Sequence, residues 1–159
     1  MPLLIHVKKG KKIFINGAVL ENATERTMTF LLKNKAEVLR CDDVLPPQEA
    51  ATPAGRIYYA LQCLYLFPDY RPRYLSVFSD LVESYRAAAP SVSALVERLF
   101  ALVRAGQFYE SLKLARELIA HEGQCLQRLD ACLAERADKA AVSQSREAAI
   151  AEPHETVAG

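Results

Sequence analysis

The apolar residues of this 159-residue chain change their period once, at Pro46-Pro47, and that change limits what the chain can fold into. Before the prolines they alternate: Leu3, Ile5 and Val7, then Ile13 and Ile15, then Met28, Phe30 and Leu32. Alternation places such residues on one face of a strand. After the prolines they recur at helical spacing, as Ile57, Leu61 and Leu64 do. Neither proline can donate to a β ladder or sit inside a helix, so the pair marks a boundary. The fold class that follows is α+β: a small N-terminal antiparallel β region, residues 1–45, of four or five strands. A bundle of about four helices, 46–140, and a flexible or disordered C-terminal tail, 141–159, complete the expectation.

Strands are expected at Leu3 to Val7, around Ile13 and Ile15, and at Ala18 to Glu21, Thr27 to Leu32 and Ala36 to Arg40, forming a small sheet or barrel. Asn16-Gly17 is the dipeptide suited to a two-residue hairpin turn with both centres at positive φ. Lys8-Lys9-Gly10-Lys11-Lys12 and Lys33-Asn34-Lys35 read as further turns. Thr52-Pro53 supplies an N-cap and a first helical proline for a helix that Pro68 stops. Three more helices follow, the last running from about Gln107 through Gly123 to about Lys139. Val142 to Gly159 has no period and reads as a frayed or disordered tail. The expected core includes Ile13, Ile15, Phe30, Ile57, Leu61, Leu64, Phe78, Leu81, Leu99, Leu118 and Ile119.

Charge matters here by its distribution. The total is only +1, from 20 basic against 19 acidic residues, yet residues 1–45 carry eight basic and five acidic side chains, a local excess of +3. A polyanion should therefore meet the N-terminal part first. The four cysteines form no CxxC pair, no signal peptide opens the chain, and no apolar run reaches the roughly 20 residues that span a membrane. A cytoplasmic protein with no membrane contact is expected.

Little of the sequence suggests catalysis. His121 and Cys125 stand at i, i+4 with Cys132 two turns on, a pattern that could ligate a metal or simply place structural thiols. No matching pair accompanies them, so no metal and no cofactor are expected. His6, His121 and His154 have no nucleophile in a recognisable arrangement, and no glycine-rich phosphate loop occurs, so the chain is not expected to be an enzyme. Two features stay open on residues alone. The lysine turns, with Lys33 and Lys35 flanking the second, make either a cationic rim at the end of a small sheet or solvated tips that keep an edge strand soluble. The stretch from Ile57 to Phe67 is apolar nearly all round, which means core packing or a face awaiting a helix, with Tyr58, Tyr65 and Phe67 as anchors.

Three segments resemble the FlbT family of flagellar regulators: Ile13-Phe14-Ile15-Asn16-Gly17-Ala18-Val19-Leu20-Glu21-Asn22, Thr52 to Gln62, and Ala105 to Lys113. The resemblance spans about Met1 to Glu122. It implies association with the 5′ untranslated region of flagellin mRNA, reducing its translation and lifetime, and work alongside the small helical protein FlaF. Some members are similar to activators instead. A further likeness, limited to the strands, is to the RNA-binding regulator CsrA. Charge bias and resemblance together point to Lys8, Lys9, Lys11, Lys12, Lys33 and Lys35 as phosphate contacts, with Arg26 and Arg40 as contributors. Asn16 and Asn34 are the candidates for base contacts. The alternative is a protein-interaction adaptor or chaperone-like factor with no RNA contact; self-association stays open.

Overall fold

The structure is a computed structural model that describes residues 2–151. Five strands open it: β1 (Leu3–Val7), β2 (Lys12–Ile15), β3 (Ala18–Glu21), β4 (Met28–Leu32) and β5 (Val38–Arg40). The Asn16-Gly17 hairpin forms as its residues require, with Ile15 facing Ala18 and φ values of 48° and 82° at the two centres. The strands nevertheless make two sheets, not one. β1 pairs with β4, while β2 lies between β3 and β5, every pairing antiparallel. Alternation tells a strand which face to bury but not which partner to choose, so this division is set by packing.

β2 is where the layers meet, because successive side chains leave a strand on opposite faces. Ile13 and Ile15 pack with Ile5, Val7, Phe30 and Leu32 of the β1–β4 ribbon. Phe14, between them, packs with Leu39 against the helical core. The three-stranded sheet is thus a middle layer, ribbon on one side and helices on the other.

The helices are α1 (Pro53–Leu66), α2 (Arg71–Ala88), α3 (Ser93–Arg104) and α4 (Phe108–Ile150). Thr52 caps α1, its hydroxyl accepting from the Gly55 N–H at 3.1 Å. Pro68 and Pro90 each open a short 3-10 turn that separates successive helices. Gly106, at φ 71°, ends α3 in the left-handed conformation that helix stops use. Ile57, Leu61, Leu64, Phe78, Leu99 and Leu118 are fully buried, and Ile15, Phe30 and Leu81 partly so. Ile119, expected in the core, is 36% exposed. α4 turns Leu114, Ala115 and Leu118 inward, and the next residue lies about 100° further round the helix.

Residues up to Ile119 form one compact unit, and a second begins at Ala120. The second unit is the remainder of α4, helical through Ile150 although periodicity ends near 140. Its Ala, Glu, Gln and Arg residues favour helix without needing an apolar stripe. Residues 152–159 of the expected tail lie outside the described ones.

A seam of hydrogen bonds joins α1 to β5 and the chain leaving it. Tyr58, Gln62 and Tyr65 recur at i, i+4, i+7 on one face of α1. The Tyr58 hydroxyl donates to the Asp43 carbonyl at 2.7 Å. The Gln62 amide brackets the backbone of Leu45, accepting from its N–H at 2.8 Å and donating to its carbonyl at 3.1 Å. The Tyr65 hydroxyl accepts from the Val38 N–H at 2.7 Å and reaches the Val38 carbonyl at 3.2 Å.

Two outcomes test this account. Phe78 meets Phe100 edge to face with centroids 5.5 Å apart, and Phe78→Ala should cost about 3–5 kcal/mol in urea unfolding. Burial raises the phenol pKa values of Tyr58 and Tyr65. A raised folded-state value gives stability that is complete below the ordinary phenol pKa of about 10 and is lost as pH climbs through the folded value. The urea midpoint should therefore drop on the alkaline side of about pH 10, and drop less steeply in Tyr65→Phe.

Candidate nucleic-acid interface

Backbone hydrogen bonds fix the first lysine turn before any charge is considered. Lys11 N–H donates to the Lys8 carbonyl at 3.0 Å. Gly10, at φ 67°, occupies the third turn position, where type II turns need positive φ. Gly10 N–H also donates to the Asn22 carbonyl, and Asn22 N–H to the Lys11 carbonyl, both at 3.0 Å. Asn22 itself is buried. Its amide donates to the carbonyls of Val7 at 2.8 Å and Arg26 at 2.7 Å, and its oxygen accepts from the Thr24 N–H and hydroxyl at 2.9 and 2.7 Å. Both donors and both acceptor sites of the side chain are used, which locks the turn to the 22–26 loop. Asn22 was not among the expected site residues, although Asn and Thr two apart signal this kind of local turn.

Beside this tip lies a recess of about 330 Å³ bordered by His6, Lys8, Lys11, Lys12, Arg40 and Asp42. Carboxylates from the same region answer three of the lysines: Lys9 pairs with Glu25, Lys11 with Asp42 at 3.1 Å, and Lys12 with Glu21 at 3.4 Å. All six side chains are about half exposed or more. Exposed pairs of this kind are worth at most about 1 kcal/mol, so a phosphate can displace the carboxylate at little cost.

Lys33 and Lys35 do not join this rim, contrary to the expectation of one cationic edge. Val7 faces Met28 and Leu3 faces Leu32 in the ribbon. Lys8 follows Val7 and Lys33 follows Leu32, so the two turns sit at opposite ends of a ribbon about 17 Å long. Lys35 borders a second recess of about 360 Å³, with Arg71, Tyr65 and Tyr109. Between the two lies a cavity of about 550 Å³ walled by Leu3, Leu4, Arg40, Asp43, Tyr65 and Tyr109. Arg40 also borders the lysine recess, and the two tyrosines also border the Lys35 recess. Neighbouring hollows thus share border residues, and we call the series from the first lysine turn to Lys35 the groove.

The remaining expected residues are placed as follows. Asn16 is part of the hairpin, its Oδ1 accepting from the Glu37 N–H at 2.9 Å. Asn34 and Arg26 are exposed in loops. Tyr58 is buried and Tyr65 half-buried, and their hydroxyls serve the seam within the chain. Phe67 is 40% exposed and lies beside the Gly17 turn. In the second unit the Cys125 thiol lies 3.8 Å from His121 Nε2. Among the described residues no group of three or more His, Cys, Asp or Glu is placed to hold a metal ion. No described helix is long and apolar enough to cross a membrane.

The fold is a three-layer α+β unit with a lysine-bordered recess at one end of its ribbon. The chain belongs to the FlbT family: the family model described as "Flagellar protein FlbT" matches residues 3–126. A Rhodopseudomonas palustris protein named "Probable flagellum biosynthesis repressor protein FlbT" is 35% identical over 131 residues, covering 80% of this chain and 100% of that one. The Caulobacter vibrioides "Flagellum biosynthesis repressor protein FlbT" is 31% identical, covering 79% of this chain and 90% of its own. A relative in Agrobacterium fabrum, also named a probable repressor, is 33% identical over 78% and 83%. No solved structure matches the chain significantly. The segments of the resemblance fall on the β2–β3 hairpin, on α1 as far as Gln62, and on the start of α4 that carries Tyr109.

Replacing Asn22 with Ala should loosen the tip, lowering stability by about 1–3 kcal/mol and speeding hydrogen exchange at the Gly10 amide. Single Ala substitutions at Lys9, Lys11 or Lys12 should stay within about 0.5 kcal/mol of the parent. Urea unfolding and exchange-resolved NMR check both.

Proposed function

We propose that this protein represses flagellum biosynthesis by binding the 5′ untranslated region of flagellin mRNA along the groove, lowering the message's translation and lifetime. The relatives' names support the repressor role, and one geometric observation supports the nucleic-acid contact: Lys8, Lys11, Lys12 and Arg40 converge on a single recess opposed by one bordering carboxylate, Asp42. A concave cluster of cations draws a polyanion by releasing its counterions. Lys33 and Lys35 lie at the far end of the ribbon, where the recess beside Lys35 and Arg71 also carries Glu37 and Glu110, so the cationic end of the groove is the Lys8–Lys12 turn. Phosphate contacts position the strand without reading its sequence.

If four cations pair with phosphates of single-stranded RNA, at about −0.7 each, the log–log salt slope should be roughly −3. Changing Lys8, Lys9, Lys11 and Lys12 together to Ala should flatten that slope and weaken every RNA alike, with little effect on folding. Filter binding of purified leader RNA across a salt series measures this. Unchanged affinity and slope in the folded variant would make the turn a solubilising tip and leave the adaptor reading in place.

A further inference from the structure

We propose that the middle of the groove is a nucleobase site, in which an unstacked base of single-stranded RNA enters the cavity walled by Leu3, Leu4 and Tyr109, within reach of Arg40 and Asp43. This inference rests on the RNA-binding proposal above and adds to it the group that meets a base.

The cavity's volume, about 550 Å³, lies within the range of small-ligand sites, about 300–1,000 Å³. Its walls are of the right kind for a flat ring. Leu3 is 51% exposed, Leu4 54% and Tyr109 41%; Leu3 and Leu4 leave β1 on opposite faces, so Tyr109 and one of the two leucines offer large side chains that gain from leaving water. Tyr109 is held in place, its ring 5.8 Å from that of Tyr65 and its face 4.8 Å from the Lys113 ammonium. Lys113 takes one side of the ring, and Tyr109 borders the cavity. Polar chemistry for a base edge is also present. The Arg40 guanidinium brings donors, and the Asp43 carboxylate, already bonded to Arg116, keeps lone pairs to accept N–H groups. The border residues run in a matching order: the cations of the Lys8–Lys12 recess meet the cavity at Arg40, and the Tyr109 ring lies across it, as in single-strand sites that hold phosphates on charges and bases on rings.

The test uses the full-length protein and three single-stranded probes of equal length: oligouridine, oligoadenosine and an abasic sugar-phosphate strand. Tyr109→Ala should weaken the two base-bearing strands by roughly 5- to 150-fold, leaving the salt slope and the affinity for the abasic strand unchanged. Tyr109→Phe should bind like the parent. Circular dichroism confirms folding; if Tyr109→Ala unfolds, Tyr109→Leu keeps bulk, removes the ring and answers the same question. Salt-dependent binding by the parent that is indifferent to Tyr109→Ala and Tyr109→Leu overturns the base site and leaves the phosphate contacts standing. Equal affinity of the parent for abasic and base-bearing strands overturns it too. Absence of binding to any strand removes both the base site and the RNA-binding proposal.

Discussion

The geometry of the groove depends on the seam between α1 and the segment from Val38 to Leu45. Three polar side chains on one helical face bond to backbone groups of β5 and of the chain that follows it. The segment would otherwise present unpaired backbone to a mostly apolar helix, which is costly. Because every bond goes to backbone, the seam sets position without regard to side-chain identity at 38–45. Arg40 and Asp43 are thereby carried opposite Tyr109, which comes from the start of α4, nearly seventy residues away in sequence. A cavity assembled from three remote stretches is a product of this one registration.

The local features of the fold were legible in sequence wherever a short-range rule decided them. Asn16-Gly17 turned as its chemistry demands, Thr52-Pro53 started a helix, and the change of period at Pro46-Pro47 divided strands from helices. What escaped depends on distant partners. β1 could not announce that it would pair with β4 instead of β2, and that choice separates the two lysine turns by the length of the ribbon. The aromatic residues near the basic segment, Phe14 and Phe30, are both taken up in packing. Tyr109 replaces them at the groove, and nothing about an i+1 position after Phe108 marks it as facing the strands. Ile119 shows the same limit on a smaller scale, since period alone does not fix where the edge of a buried stripe falls.

The charge balance of the site is closer to neutral than its lysines suggest. Glu21, Glu25 and Asp42 stand against Lys12, Lys9 and Lys11, so a polyanion exchanges existing partners as well as adding new ones. Those carboxylates are weak competitors, being exposed and screened by salt. They also keep the tip from attracting anions without discrimination. An overall charge of +1 is compatible with a local site of this kind because field strength in a concavity depends on the nearest groups and not on the sum.

The tip at Gly10 separates shape from charge. Its contour is written in carbonyl and amide contacts and in the buried side chain of Asn22, while three of the lysines project from it into exposed ion pairs. Cations on such a platform are interchangeable: arginine can stand for lysine, or a charge can move by one position, and the surface beneath does not shift. The charge of the tip can therefore change one exposed residue at a time, while the platform beneath rests on Gly10 and Asn22.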